Sequence, residues 1–400
     1  MPSSMPSPAP MHAKPLPPPR IPVIYGASTV GAPGTFCTIT SPEKTQRVVD
    51  AYVSCLGAGA GRVHAIDTSN VYGFGTSEKM LAQTNLHDCA IDTKFYPLLP
   101  GDHSRTKIRE AYARMRSSLQ GRRVRVLYLN APDRATPFAE TLAAMNELYK
   151  DGAFEQLGLS NFRTYEVAEI VTLCRLNGWI APTVYQGVYS AIDRGVEEEL
   201  LPCLRHFNIR FAAYSPLAGG FLVGNMLFDP TLASPATPSF PASMRSSLPK
   251  LLPSTTNGSM KPPPLPSLRA LQRRLNGSGS HFDPQNPFGM WYQNRYLHPR
   301  MNEAVLDLCE VLDSYDLTLH EASVRWLQHH SALLPSDLGV VFGATRAEHV
   351  RETLGYCSLG PLPPDVVDAF DDCYGKVRGS TPIANPHADP SWYSVEAYGY

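Results

Sequence analysis

Eight times along this chain a short β-branched or apolar run gives way to a stretch with helical patterning, and that alternation restricts the fold more than any other feature. The candidate strands are Val23–Tyr25, Val63–Asp67, Ala90–Phe95, Val124–Asn130, Gln156–Ser160, Thr183–Gln186, Arg210–Tyr214 and Gly339–Gly343. The helical stretches between them carry their own punctuation. Ser41-Pro42-Glu43 supplies a cap, a proline pre-set for the first turn and an acid at the positive end of the helix dipole. Thr136-Pro137 opens another helix and Gly152 stops it; Thr164–Asn177 ends at Gly178. Further helices are predicted over Thr76–Leu86, Ser104–Leu119, Glu197–His206, Pro299–Tyr315, Leu319–His330, Arg346–Leu354 and Pro364–Tyr374. A helix after every strand argues for parallel pairing, and eight such units suit a closed α/β barrel of the (β/α)8 TIM type. A doubly wound open sheet is the structural alternative.

The expected organisation is a disordered Pro/Ser-rich tail over 1–20 followed by one barrel domain over 21–400. One segment breaks the rhythm: 229–279 is dense in proline and serine, with a short basic patch between Arg269 and Arg274. A loop of that length is a lid, a binding loop or disorder. It reads as a mostly disordered insertion before the last strand, with a substrate-covering lid as the functional alternative. With 43% hydrophobic and 18% charged residues, the 400-residue chain can bury a large core. A formal net charge of −1 gives no field to draw in nucleic acid or an anionic membrane surface. No apolar run approaches the roughly 20 residues of a membrane span, and the tail lacks the apolar stretch of about 7–15 residues that a secretory signal needs. Eight scattered cysteines without a CxxC pair read as reduced thiols in a cytoplasmic protein.

In such a barrel the reacting groups sit at the C-terminal ends of the strands. Polar residues fall there with regularity: Asp67 closes VHAID, Lys94 closes AIDTK, Asn130 closes VLYLN, Ser160-Asn161 close LGLSN, Gln186 closes TVYQ, and Tyr214-Ser215 close FAAYS. Taken singly, Asp67 and Lys94 read as a structural ion pair and Tyr72 as a loop aromatic.

Here the chain resembles the aldo-keto reductase family. IDTSNVYGFGTSE (66–78), IDTKF, VLYLNAPDRATP, LGLSNF, VYQGVYS, AYSPLAGGFLVG, NRYLHPR and VVFGATRAEHVRETL match that family's motifs in order and spacing. The likeness covers about Ile21 to Tyr374 apart from the insertion and is nearest to the aflatoxin-aldehyde reductase type. It implies NADPH-dependent reduction of a small-molecule aldehyde or ketone, with Tyr72 as general acid. A free tyrosine has a pKa of about 10, and an ammonium at Lys94 is expected to lower it, with Asp67 holding Lys94 in place. Asn130 departs from the family, most of which carries histidine there. Asparagine still donates a hydrogen bond but cannot become cationic or relay a proton. One lost oxyanion donor costs about 2.7–4 kcal/mol. The potassium-channel β-subunit branch resembles this chain in having asparagine there, so a cofactor-binding regulatory protein with little turnover is the alternative reading.

The resemblance also implies the cofactor contacts. Ser160, Asn161 and Gln186 are expected on the nicotinamide carboxamide, with Tyr214 stacked on its ring and Gly26 and Ala27 lining its side. Ser215, Leu217 and Gly219 are expected at the pyrophosphate, and Gly343, Thr345, His349, Glu352 and Thr353 at the adenosine phosphate. The family's Gly-Arg-Phe appears as Ser280-His281-Phe282, so Arg346 or Arg295 is expected to replace the missing arginine. The aromatic tail over 375–400 either folds over the substrate pocket or packs on a second subunit of a homodimer. Aldehyde detoxification or a natural-product pathway is the implied setting.

Other signals are set aside. Gly57, Gly59 and Gly61 precede a strand and read as a helix end and turn, not a dinucleotide loop. His298, His329 and His330 show no metal-ligand spacing, and no metal is expected. A metal-dependent hydrolase would need histidine and aspartate at strand ends that carry lysine, asparagine, serine and glutamine. Glu310, Asp371 and Asp372 read as solvated helix charges.

Overall fold

The computed structural model describes residues 16–57, 64–229, 265–286 and 288–380. Strand β1 (Val23–Gly26) pairs in parallel with β2 (Ala65–Asp67), and each later strand pairs with the next: β3 (Ala90–Phe95), β4 (Val124–Leu129), β5 (Gln156–Ser160), β6 (Pro182–Val188), β7 (Arg210–Tyr214) and β8 (Gly339–Gly343). Strand β8 returns to β1, with Val23 opposite Val340 and Gly26 opposite Gly343. Closure leaves no sheet edge and rules out the open-sheet alternative. All eight expected strands are present; Val63 of the second candidate lies outside the described residues.

The crossovers are α1 (Pro42–Leu56), α2 (Thr76–Ala82), α3 (Arg105–Ser118), α4 (Phe138–Lys150), α5 (Thr164–Asn177) and α6 (Leu200–His206). Between β7 and β8 lie α7 (Leu268–Leu275), α8 (Gly289–Tyr296), α9 (Pro299–Asp313) and α10 (Leu319–His329); α11 (Ala347–Cys357) and α12 (Pro364–Val377) follow β8. Helix α1 starts as its sequence dictates. Ser41 Oγ accepts from Lys44 N–H at 3.3 Å, Pro42 fills the first turn, and Thr45, Val48, Val49 and Tyr52 are buried at helical spacing. Gly57 caps it at φ 69°, as expected of a helix end.

Alternation along each strand sorts two cores. On β4, Leu127 and Leu129 face the helices, whereas Val126 and Tyr128 fill the barrel with Ile24, Ala65, Val184 and Val341. None of the helices among the described residues is long and apolar enough to cross a membrane, and all eight cysteines are unpaired.

The described residues set closer bounds on two expectations. Part of the 229–279 insertion is a helix. Ser267 Oγ accepts from Ala270 N–H at 3.3 Å, and α7 buries Leu271 and Leu275 one turn apart. LRALQRRL is amphipathic, whereas the Pro/Ser density lies upstream of it; residues 230–264 of that expectation lie outside the described residues. Likewise, the tail expected over 1–20 is tied down from Leu16: its N–H donates to Cys55 O at 3.0 Å, and Arg20 Nη1 donates to Gln328 O at 2.8 Å. Those partners are distant in sequence, so local composition could not reveal them. Residues 1–15 and 381–400 lie outside the described residues; helix α12 runs through the start of the expected C-terminal tail, to Val377.

Tyr128 fills the barrel because Gly158, on the neighbouring strand, has no side chain. A Cβ built at Gly158 would lie 2.2 Å from Tyr128 Cδ1. Gly158→Ala is expected to cost about 1–3 kcal/mol through overpacking, read as a lower urea midpoint and thermal transition.

Candidate active site

The C-terminal ends of the strands open on a cleft of about 650 Å³. Asp67, Tyr72, Lys94 and Asn130 all line it. So do Gly26, Ser160, Asn161, Gln186, Tyr214, Ser215, Leu217 and Gly219, and further along Gly343, Thr345, His349, Glu352 and Thr353. Ala27 does not. It is fully buried, its N–H donates to Asp67 O at 2.8 Å, and its carbonyl accepts from Ser77 Oγ at 3.2 Å, so it braces the end of β2 from behind.

At the centre Lys94 Nζ sits 2.5 Å from Asp67 Oδ2, donates to Thr68 O at 2.8 Å and reaches Tyr72 OH at 3.5 Å. Gln186 Nε2 donates to Asp67 Oδ1 at 2.8 Å, which gives this residue a task beyond the cofactor role expected of it. The two charged side chains are 1% and 2% exposed. Burial pushes the Asp67 carboxyl above its usual range, against the opposing pull of Lys94 and Gln186. The expected effect of Lys94 on Tyr72 is overturned. Burial first, then the Asp67 charge and Tyr292, hold the Tyr72 phenol well above its ordinary value. An ammonium 2.5 Å from a carboxylate presents little net charge to a phenol 3.5 Å away. Tyr72 therefore keeps its proton at neutral pH.

Asn130 follows β4 and is pinned at its backbone: its N–H donates to Phe95 O at 2.9 Å, and its carbonyl accepts from Asn161 Nδ2 at 2.8 Å. Its side-chain oxygen accepts from Ser69 Oγ at 3.2 Å. Asn161 Nδ2 also reaches Ser160 Oγ at 3.1 Å, and Tyr214 OH donates to Asn161 Oδ1 at 3.0 Å. Asn161 holds φ 63°, a left-handed conformation that asparagine tolerates better than most residues.

The sequence reading missed the wall contributed by α8. Tyr292 OH lies 3.0 Å from Ser215 Oγ, and its ring lies against Gly219, where a Cβ would fall 2.6 Å from ring carbons. Gly219 also needs its freedom for φ 67°. Helix α8 is anchored by Arg295, which meets Asp193 with two bonds of 2.6 and 2.9 Å, while Tyr296 OH donates to Asp193 at 3.0 Å. Arg295 is 1% exposed and committed to that carboxylate, so it does not replace the missing phosphate arginine. The clustered aromatics of Phe288, Trp291, Tyr292 and Tyr296 were the available signal. At the mouth, Phe36 and Phe74 hold φ of 58° and 52° and meet edge to face with ring centroids 6.2 Å apart. Backbone strain at bulky residues, about 1–3 kcal/mol each, marks a loop held in place by its surroundings.

Towards α11, His349 Nδ1 lies 3.1 Å from Thr345 Oγ1 and its Nε2 lies 2.8 Å from Arg346 Nη2. Thr353 Oγ1 lies 3.1 Å from His320 Nε2, and Glu352 accepts from Tyr356 OH at 3.1 Å. Elsewhere, His298 caps α9, accepting from Met301 N–H at 3.3 Å, and His330 accepts from Leu362 N–H at 2.9 Å. Asp371 is more than a solvated charge, since it pairs at 2.6 Å with the largely buried Arg194.

The family model described as "Aldo/keto reductase family" matches residues 22–375. The chain belongs to the aldo/keto reductase family. It is 36% identical over 328 residues to the human "Aldo-keto reductase family 7 member A3", covering 79% of this chain and 86% of that protein. It is 34% identical over 380 residues to "Aflatoxin B1 aldehyde reductase member 2" of Mus musculus, covering 92% and 90%. A crystal structure of an aldo/keto reductase from Klebsiella pneumoniae, in complex with NADP and acetate, shares the fold at a TM-score of 0.53 and 16% identity, covering 88% of this chain and 90% of that one.

Removing Asp67 would strand a buried ammonium. Asp67→Ala is expected to lower the free energy of unfolding by about 3–5 kcal/mol, and Asp67→Asn by less; urea titration of the two variants checks the order.

Proposed function

We propose that this member of the family reduces an apolar aldehyde or ketone with NADPH, and that Tyr72 delivers the proton. The carrying observation is the convergence, in one cleft, of a protonated Tyr72 backed by the Lys94–Asp67 pair with the side-chain amide of Asn130. No described residue accepts a hydrogen bond from Asn130 Nδ2, so it is available to a substrate oxygen.

The residues along the cleft suit a dinucleotide. Ser160 Oγ accepts from Asn161 and keeps its own proton for a carboxamide oxygen, with Asn161 beside it on the same rim of the cleft. Ser215, Ala218, Gly219 and Gly220 hold φ of 53°, 51°, 67° and 105°, a turn that brings backbone close to the cleft. The N-terminus of α11 adds a positive dipole end beside Arg346, which supplies a cation for a phosphate and favours NADPH over NADH.

When bound, NADPH supplies the hydride to the carbonyl carbon. Negative charge then develops on the carbonyl oxygen, where Asn130 Nδ2 donates a hydrogen bond and Tyr72 OH gives its proton. Lys94, held by Asp67 and Thr68, stands next to the phenolate that remains. Phe36, Phe74, Tyr96 and Trp291 line an apolar mouth that suits hydrophobic carbonyls of the kind met in aldehyde detoxification and natural-product pathways. Eight unpaired thiols fit a reducing compartment such as the cytoplasm.

NADPH oxidation with aromatic aldehydes, dicarbonyls and quinones tests the reading. Tyr72→Phe is expected to lower turnover by about 10²–10⁴-fold while NADPH still binds. Because the Tyr72 phenol is raised, its proton is retained below about pH 10, and the loss of reduction that follows its ionisation is expected only above that. Tight NADPH binding with no turnover by either protein would instead favour the regulatory reading, which rests on Asn130 in place of histidine.

A further inference from the structure

Ser69 lies two residues after Asp67, is fully buried, and has no part in the proton transfer proposed above. Its surroundings define what its hydroxyl does. Val71 N–H donates to Ser69 Oγ at 3.5 Å, so the oxygen is already used as an acceptor and its own proton points onward. Two oxygens are within reach: Asn130 Oδ1 at 3.2 Å and Asn70 Oδ1 at 3.4 Å. The second already accepts from Tyr96 N–H at 3.1 Å. The Asn130 oxygen is the nearer acceptor, and Ser69 is the hydroxyl that reaches it.

We propose that Ser69 is a positioning residue that orients the Asn130 amide for carbonyl reduction. The backbone of Asn130 is fixed on both sides, by Phe95 O and by Asn161 Nδ2, which leaves only its side-chain torsions undetermined. Terminal amide torsions are broad and roughly two-fold, so an unassisted asparagine presents oxygen or nitrogen to the cleft with similar ease. An oxygen facing a developing oxyanion repels it. Ser69 removes that choice by taking the oxygen, which turns Nδ2 towards the cleft. Hydrogen bonding at the oxygen also polarises the amide and strengthens its N–H as a donor. Ser69 thus supplies by orientation part of what an asparagine lacks by charge.

This inference rests on the reductase reading, and its test separates the two. Ser69→Ala, Asn130→Ala and the double variant are compared in the full chain for kcat and KM with a carbonyl that the wild type reduces. Ser69→Ala is expected to lower kcat by about three- to tenfold with KM little changed, the worth of one hydrogen bond realised in the transition state. In the Asn130→Ala background the same change is expected to cost nothing further, because Ser69 acts only through that amide. An equal loss in both backgrounds, or no loss in either, overturns the proposal. A neutron crystal structure of Ser69→Ala, in which amide nitrogen and oxygen are told apart, gives a reading independent of turnover. An Asn130 amide that swings away or takes two orientations supports the role, and one that stays with Nδ2 towards the cleft overturns it. Absence of wild-type turnover overturns the reductase reading alone and leaves the crystal structure to decide on Ser69.

Discussion

The Lys94–Asp67 ion pair is the constraint around which the upper end of the barrel is built. Taking both charges out of water is costly, and Coulomb attraction offsets that cost only when the remaining hydrogen-bonding positions are also filled. Here they are filled from three strand ends: Lys94 finds Thr68 O as well as Asp67, and Asp67 takes a bond from Gln186 of β6 across the barrel. Such an arrangement needs strands whose C-terminal ends converge, which closure provides. Burial decides the state of Tyr72, with the Asp67 charge second. A neutralised ammonium does little to draw off the phenolic proton, so burial prevails and the proton stays.

From that centre a second network runs through neutral groups. Tyr214 OH donates to Asn161, whose Nδ2 donates to the Asn130 carbonyl, and Ser69 donates to the Asn130 side chain. Each member sits at or just past the C-terminal end of a different strand, so the positions of Tyr214 and Asn130 are coupled without any charge. Buried polar networks of this kind specify geometry when every member is satisfied. The α8 wall completes the cleft from outside the strand–helix repeat. Its Tyr292 rests on Gly219, and its Arg295 is fixed to Asp193.

The strands and the central residues were legible because two signals coincide there. A short β-branched or apolar run marks the strand, and the polar residue that ends it marks the rim; Asp67, Lys94, Asn130 and Gln186 all obey that rule. What failed did so for reasons of distance or of competing effects. Leu16 and Arg20 find partners at Cys55 and Gln328 that no local pattern announces. Helix α7 was hidden by the proline density of the chain before it, and Tyr292 by lying in an aromatic helix outside the repeat. Ala27 sits at a strand end yet serves the backbone of Asp67. The direction of the Tyr72 shift was misjudged because the sequence shows which charge is near but not how fully another charge has answered it.

That last point bears on the direction of catalysis. A tyrosine shared between reduction and oxidation needs a phenol that both gives and takes its proton near neutrality. Here the phenol is raised, and the other donor, Asn130, is neutral at every pH. In the proposed reaction, reduction would begin from the protonated phenol, which is the form that burial favours. Oxidation of an alcohol begins from the phenolate, which burial and the Asp67 charge disfavour together. A histidine at the position of Asn130 could carry a proton and ease that bias; an asparagine cannot. On the proposed reading, the asparagine at position 130 and the burial of Tyr72 would act in the same sense, both favouring a site that starts from the protonated phenol.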